Sequence, residues 1–83
     1  MNYIAGYNAA GYLPEAELLE TDSAHDAVEY IVETAIENGD LELHMHGPAL
    51  QEGVKRLVQG KRAWFSLNGT EYFADVAQVT KNG

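Results

Sequence analysis

The sequence contains no cysteine among its 83 residues. Disulfide bonds, thiolate metal sites and cysteine nucleophiles are therefore excluded, and the chain is compatible with a reducing cytoplasm. No window approaches the roughly 18 consecutive apolar residues of a membrane-spanning helix, so we predict no contact with a membrane. The first residues show no basic segment followed by an apolar run, so we expect no signal peptide.

Lysine and arginine are absent from residues 1–42, which hold ten of the 13 acidic residues. The formal net charge of −8 therefore divides into −10 for residues 1–42 and +2 for residues 43–83. Contacts to nucleic-acid phosphates require lysine and arginine, so we expect no direct binding of DNA or RNA through the first half. The asymmetry predicts a basic partner.

The length of 83 residues predicts a single domain, 1–83. A chain of this size buries only about 60% of the surface that its unfolded form exposes, so its core is small. Pairing of two copies would bury more surface, and we therefore expect a homodimer. The hydrophobic content of 46% argues for a folded domain and against a disordered acidic tail.

The clearest predicted element is an amphipathic helix from Ala24 to Asn38. Ser23 is a suitable N-cap, and Asp26 lies near the positive end of the helix. Asn38 followed by Gly39 is a typical helix ending. Apolar residues recur between these ends at helical spacing, namely Val28, Ile31, Val32, Ala35 and Ile36.

Strands are predicted on both sides of this helix. Residues 2–7 have the composition of a short strand, whereas residues 15–20 are predicted to be extended or irregular. Apolar and polar residues alternate over 41–46, which is typical of a half-buried strand. Gly47 and Pro48 would end that strand.

A second, shorter helix is predicted next, with Pro48 in its first turn and Gly60 at its end. Gly53 would weaken this helix by about 1 kcal/mol relative to alanine. Its apolar residues are Leu50, Val54, Leu57 and Val58.

Asn68 and Gly69 separate two β-prone runs and predict a C-terminal β-hairpin with strands over 62–67 and 70–79. We therefore predict an α+β fold, in which a small antiparallel or mixed sheet is packed by one main amphipathic helix. Neighbouring residues of a strand face opposite sides, so some hairpin aromatics must lie on the outer face, a candidate dimer surface. These aromatics are Trp64, Phe65, Tyr72 and Phe73.

The main helix carries acidic residues along one side. Spacings of three, four and four residues place them opposite the apolar stripe. One interpretation is a solvated face that keeps a small protein soluble. The other is a binding face for a basic partner, with carboxylates repeating about every 5–6 Å along the axis, as phosphates do on nucleic acid. The residues are Asp26, Glu29, Glu33 and Glu37.

His44 and His46 would face the same side of the predicted strand, a geometry known from zinc sites. A zinc site needs at least one more protein ligand, for which Glu42 or His25 is available. Two histidines on a polar face are more often simply exposed to solvent. We therefore predict no metal and no cofactor, with a metal-assisted hydrolase using His44 and His46 as an alternative.

Other catalytic signatures are absent from the sequence. Ser23 is better explained as a helix cap, and Ser66 has no nucleophile-elbow motif around it. No phosphate-binding or dinucleotide-binding glycine pattern is present. We therefore expect a protein that is not an enzyme.

The segment "YIAGYNAAGYLPEAE", followed by the acidic "TDSAHDAVEYIVE", resembles the start of a family of small actinobacteriophage (mycobacteriophage-type) proteins. The resemblance covers about residues 3–34. It implies a phage origin and the host bacterial cytoplasm as the place of action, and it carries over no catalytic residue. Within the matching pattern, Tyr7 and Tyr12 either pack over the sheet edge or serve as contact residues.

These observations predict a non-enzymatic binding or host-takeover factor that contacts a host or phage macromolecule through the acidic helix. The candidate binding residues are the four helix acids together with Tyr7 and Tyr12. Besides the hydrolase, two alternatives stay open: a nucleic-acid mimic that inhibits a DNA-binding protein or nuclease, and a minor structural protein of the virion.

Overall fold

The structure is a computed structural model that describes residues 2–9, 11 and 13–77. Two helices cover one face of a four-stranded antiparallel sheet, which confirms the predicted α+β fold. The elements are β1 (Tyr3–Ala9), β2 (Glu15–Leu19), α1 (Ala24–Glu37), α2 (His46–Val58), β3 (Ala63–Leu67) and β4 (Thr70–Val76). The strand order across the sheet is β2-β1-β4-β3.

Helix α1 begins and ends as its sequence predicts. The backbone N–H of Asp26 donates to Ser23 Oγ at 3.2 Å, which confirms Ser23 as the N-cap. At the other end Gly39 has a φ of 78°, and the N–H of Asp40 bonds the carbonyl of Ala35 at 2.9 Å. This is a Schellman ending, in which glycine supplies the left-handed residue.

The prediction of a strand over 41–46 is wrong. Leu43–Met45 form a short 3₁₀ turn, and α2 begins at His46, so Gly47 and Pro48 lie inside its first turn. Proline is tolerated there because the first N–H groups of a helix have no partner within it. The alternation of apolar and polar residues also does not match burial, since the apolar Leu43 is 75% exposed.

Helix α2 otherwise follows its prediction, with Pro48 in the first turn and Gly60 (φ 77°) just beyond the end. The prediction missed the role of Gly53, which is buried against α1. A Cβ at position 53 would lie 2.4 Å from Val28 Cγ1, so only glycine allows the two helices this close an approach. Its weak helix propensity is the cost of that contact.

The C-terminal hairpin is confirmed, with slightly shorter strands than predicted. Asn68 and Gly69 have φ values of 51° and 80°, as a two-residue type I′ turn requires. Strand β4 extends to Val76, and the predicted strand residues 78 and 79 lie outside the described residues.

Residues 15–20, predicted to be extended or irregular, contribute the edge strand β2. It pairs with β1 in a register that sets Gly6 opposite Ala16. A Cβ at position 6 would lie 2.0 Å from the carbonyl oxygen of Glu15, so the β1–β2 pairing depends on glycine at this position.

The hairpin aromatics lie on both faces of the sheet, as their alternation along the strands predicts. Tyr72 is fully buried beneath the helices and Phe65 packs against the same core. On the other face, Trp64 is 41% exposed and is paired across the strands with Phe73, whose ring is covered by the Arg62 guanidinium at 4.6 Å. Ile4 and Leu18 lie opposite each other on β1 and β2 and are also exposed.

Candidate functional site

The acidic side chains of α1 lie on the side of the helix opposite its buried residues, as predicted. Ala27, Val28 and Ile31 turn to the core, so the opposite side of α1 faces away from the sheet. Three of its acids are exposed and Glu29 is half-buried. We call the surface formed by Asp26, Glu29, Glu33 and Glu37 the acidic face.

Asp26 differs from the other acids because it also helps to begin the helix. Its carboxylate accepts a hydrogen bond from Thr21 Oγ1 at 3.2 Å, while Thr21 Oγ1 accepts one from the N–H of Ser23 at 3.1 Å. A negative charge in the first turn is also favoured by the helix dipole. Asp26 therefore has a structural role beside any binding role.

No lysine or arginine in the described part of the chain forms an ion pair with the acidic face. Among the described residues, the one basic side chain within ion-pair distance of the acidic face is His25, which lies 3.7 Å from Asp26 and 3.9 Å from Glu29. Arg56 pairs instead with Glu52, at 3.3 Å within α2. The carboxylates therefore face solvent without an internal cation, although each i,i+4 pair of like charges costs about 0.2–0.5 kcal/mol.

One end of α2 meets the acidic face at its centre. Donor atoms of Glu29, Glu33 and His46 all lie within 4.8 Å of one another. Glu29 and His46 are half-buried and Glu33 is exposed. Beside them runs a shallow groove of about 610 Å³, lined by Glu33, Ile36, Glu37, Leu43 and His46.

The histidine pair predicted to share one strand face is separated by the turn and helix. His44 lies in the 3₁₀ turn, where Nδ1 is 3.1 Å from a carboxylate oxygen of Glu42. His46 is the first residue of α2 and faces Glu29 and Glu33. The prediction of a common strand face for His44 and His46 is therefore wrong.

Tyr7 lies on β1 and packs against Tyr72, with ring centroids 5.7 Å apart. Its hydroxyl donates to Glu15 Oε2 at 3.1 Å, and this bond to a carboxylate raises the pKa of Tyr7. Tyr7 is half-buried, so only part of its side chain is available to a partner. Tyr12, the other predicted contact tyrosine, lies outside the described residues.

A polar network joins the end of α1 to the hairpin. Tyr72 donates to Asp40 Oδ2 at 2.5 Å and accepts from Asn38 Nδ2 at 3.2 Å. Asn68 of the hairpin turn donates to Asp40 Oδ1 at 3.5 Å. Burial, followed by the bond to Asp40, raises the pKa of Tyr72 to about 12. Burial also raises the pKa of Tyr30, aided by the nearby Glu17 carboxylate.

Sequence reasoning missed two groupings that depend on distant residues. Tyr72 and Asp40 are 32 positions apart, and the order of the strands decides their meeting. The strand predicted over 41–46 places His46 on the same face as His44, whereas in the structure His46 begins α2 and lies beside Glu29 and Glu33. The pair Gly47-Pro48 was the available signal, since proline in the first turn allows a helix to begin just before it.

No helix among the described residues combines the length and apolar character needed to cross a bilayer. In comparisons with known proteins, no family model, no curated protein and no solved structure matches this chain.

Proposed function

We propose that this chain is a non-enzymatic binding factor that contacts a basic macromolecular partner through the acidic face of α1. One observation carries the proposal: the described residues place no lysine or arginine against these carboxylates. An uncompensated row of charge raises the association rate with a basic partner, and the effect falls as salt is added. Helix α1 is capped and packed against the sheet, so the row is presented on a rigid element.

The resemblance to actinobacteriophage proteins supports a phage origin and action in the host cytoplasm, and both belong to the proposal. The partner is then a basic host or phage protein. Repetition of the carboxylates about once per helical turn also supports the nucleic-acid-mimic form of this function. In that form, duplex DNA and this chain would compete for one site on the partner.

The homodimer expected from the small core is part of the same proposal. Its candidate surface is the outer face of the sheet, with Ile4, Leu18 and Trp64 exposed. The acidic face lies on the helical side, so pairing through the sheet would leave both acidic faces of a dimer accessible.

The test is capture of partners from host lysate at low and high salt by wild type and by the triple variant Glu29→Lys/Glu33→Lys/Glu37→Lys. A matched control, Glu20→Lys/Glu42→Lys/Glu71→Lys, makes the same change of charge at exposed positions off the acidic face. We expect a basic protein to be held by wild type and by the control, to be lost with the first variant, and to be released by salt.

Circular dichroism of both variants would show that they fold. Equal loss of the partner from the two variants would contradict the proposal, because net charge and not the acidic face would then control binding. Retention of the partner by both would also contradict it, and would direct attention to Tyr7 and the aromatic hairpin.

A further inference from the structure

Two helices bring nitrogen and oxygen donors to one point on the surface. Glu29 and Glu33 are one turn apart on α1, so their carboxylates lie side by side. His46 comes from a different element, at the start of α2, and its imidazole completes a group whose donor atoms lie within 4.8 Å of one another. The grouping is therefore a product of the fold and not of a local acidic run.

The packing of α2 on α1 maintains this arrangement. Gly53 lies against Val28, and Leu57 of α2 belongs to the same buried core. Half-burial of Glu29 and His46 restricts their side chains, while the exposed Glu33 leaves the group open to solvent beside the groove. An ion could thus reach the site without any opening of the core.

The electrostatics of the group favour a cation. Two carboxylates lie together, and in the described ranges no lysine or arginine forms an ion pair with them; the imidazole of His25 lies 3.9 Å from Glu29. Such a pair repels itself, and a bound divalent cation would remove the repulsion. Calcium and magnesium take oxygen ligands, so the imidazole nitrogen of His46 makes this group a poor match for either ion.

We propose that Glu29, Glu33 and His46 bind one divalent transition-metal ion, with zinc as the best match. Zinc is bound by histidine nitrogen and by glutamate oxygen at about 2.0–2.2 Å, which places neighbouring donors about 3–4 Å apart. The ligand atoms of the three residues already lie within 4.8 Å of one another. Three protein ligands leave a fourth position of the tetrahedron open. The bound ion would join α1 to α2 and neutralise the centre of the acidic face.

The test is calorimetric titration of zinc chloride into the untagged full chain, in a buffer that does not chelate metals. We expect one zinc ion per chain and a higher melting temperature with zinc. His46→Gln and Glu33→Gln should each weaken binding about tenfold or more, since each removes a ligand. The matched control His44→Gln, which changes a histidine two positions away that faces Glu42, should leave the affinity within about twofold of wild type.

A measurement on the wild-type chain guards against variants that fold poorly. In NMR spectra recorded during the titration, the ring protons of His46 should shift with one equivalent of zinc, while those of His44 should not. Absence of zinc binding by wild type would overturn the proposal. Equal affinity of His46→Gln and His44→Gln, or a shift confined to His44, would overturn it too. The test uses the metal alone, so it does not depend on the function proposed above.

Discussion

The hydroxyl of Tyr72, in the centre of the sheet, donates a 2.5 Å hydrogen bond to the carboxylate of Asp40, three residues beyond the end of α1. The Tyr72 side chain is fully buried and Asp40 is half-buried, so this bond lies at the edge of the core and is partly shielded from water. The bond holds the C-terminal end of α1 over β4, which is one of the two strands of the hairpin. Hydrogen bonds to charged groups contribute about 1.5–3 kcal/mol each, which makes this contact a large part of the stability of a small domain.

Tyr72→Phe should lower the free energy of unfolding by about 2 kcal/mol, because the Asp40 carboxylate and the Asn38 amide lose a partner. Urea denaturation at pH 7 measures the loss. Tyr7→Phe is the matched control, since it removes the hydroxyl of the neighbouring ring, whose bond to Glu15 is exposed. We expect a loss below about 1 kcal/mol for the control. Equal losses would show that burial of the Tyr72 bond is unimportant.

Stability should fall at alkaline pH. The pKa of Tyr72 is raised from 10.0 to about 12 in the folded state, so the folded chain holds this proton more tightly than the unfolded chain. Its contribution is therefore complete below pH 10 and is lost as the pH rises toward 12. The loss amounts to about 2–3 kcal/mol. The raised pKa values of Tyr7 and Tyr30 act in the same direction.

Urea denaturation of wild type and Tyr72→Phe at pH 8, 10 and 11.5 tests this prediction, because these pH values lie below, at and above the ordinary tyrosine pKa of about 10. The variant should lose less stability than wild type over this range, because its residue 72 does not ionise. Parallel losses in the two proteins would mean that other groups cause the alkaline unfolding.

Gly53→Ala should destabilise the fold by about 1–3 kcal/mol, because the added methyl overlaps a buried and stiff Val28. The gain in helix propensity, about 1 kcal/mol, is too small to offset this overlap. Gly47→Ala in the same helix is the control, since a Cβ at position 47 meets nothing within 4 Å. Thermal unfolding of the two variants and of wild type measures both effects. A stabilised Gly53→Ala would show that α2 can move away from α1 without cost.

Glu37→Lys should stabilise the chain by about 0.5–1 kcal/mol at low salt, because it places a cation in the last turn of α1 and removes a repulsive neighbour of Glu33. Asp26→Lys makes the same change of charge in the first turn and should destabilise, since it opposes the helix dipole and breaks the bond from Thr21. Both effects should shrink in 1 M salt, where the screening length is about 3 Å. Equal signs for the two variants would contradict the prediction.

The proposed dimer has a direct test in light scattering coupled to size-exclusion chromatography. Trp64→Arg should convert a dimer to a monomer, because it places charge in the outer face of the sheet. Val58→Arg is the control on the helical side, where Val58 is 74% exposed, and should remain dimeric. A wild-type monomer, or a dimer unaffected by Trp64→Arg, would contradict pairing through this face.

Local chemistry made much of the fold predictable from the sequence. The start of α1 at Ser23, its glycine ending, and the Asn68-Gly69 turn all depend on residues within five positions of one another. The acidic face belongs to the same class, since helical spacing alone decides which side chains share a side. Such signals keep their meaning whatever the rest of the chain does.

Only the tertiary structure decided the features that join distant segments. An alternating pattern over 41–46 fits a strand, but a strand also needs a neighbouring strand, and the sheet forms from β1, β2, β3 and β4 without this segment. The same dependence on distant partners makes Gly53 a packing residue, joins Tyr72 to Asp40, and brings His46 to Glu29 and Glu33. Periodicity determines which side of an element a residue occupies, whereas the packing of the elements determines what that side meets.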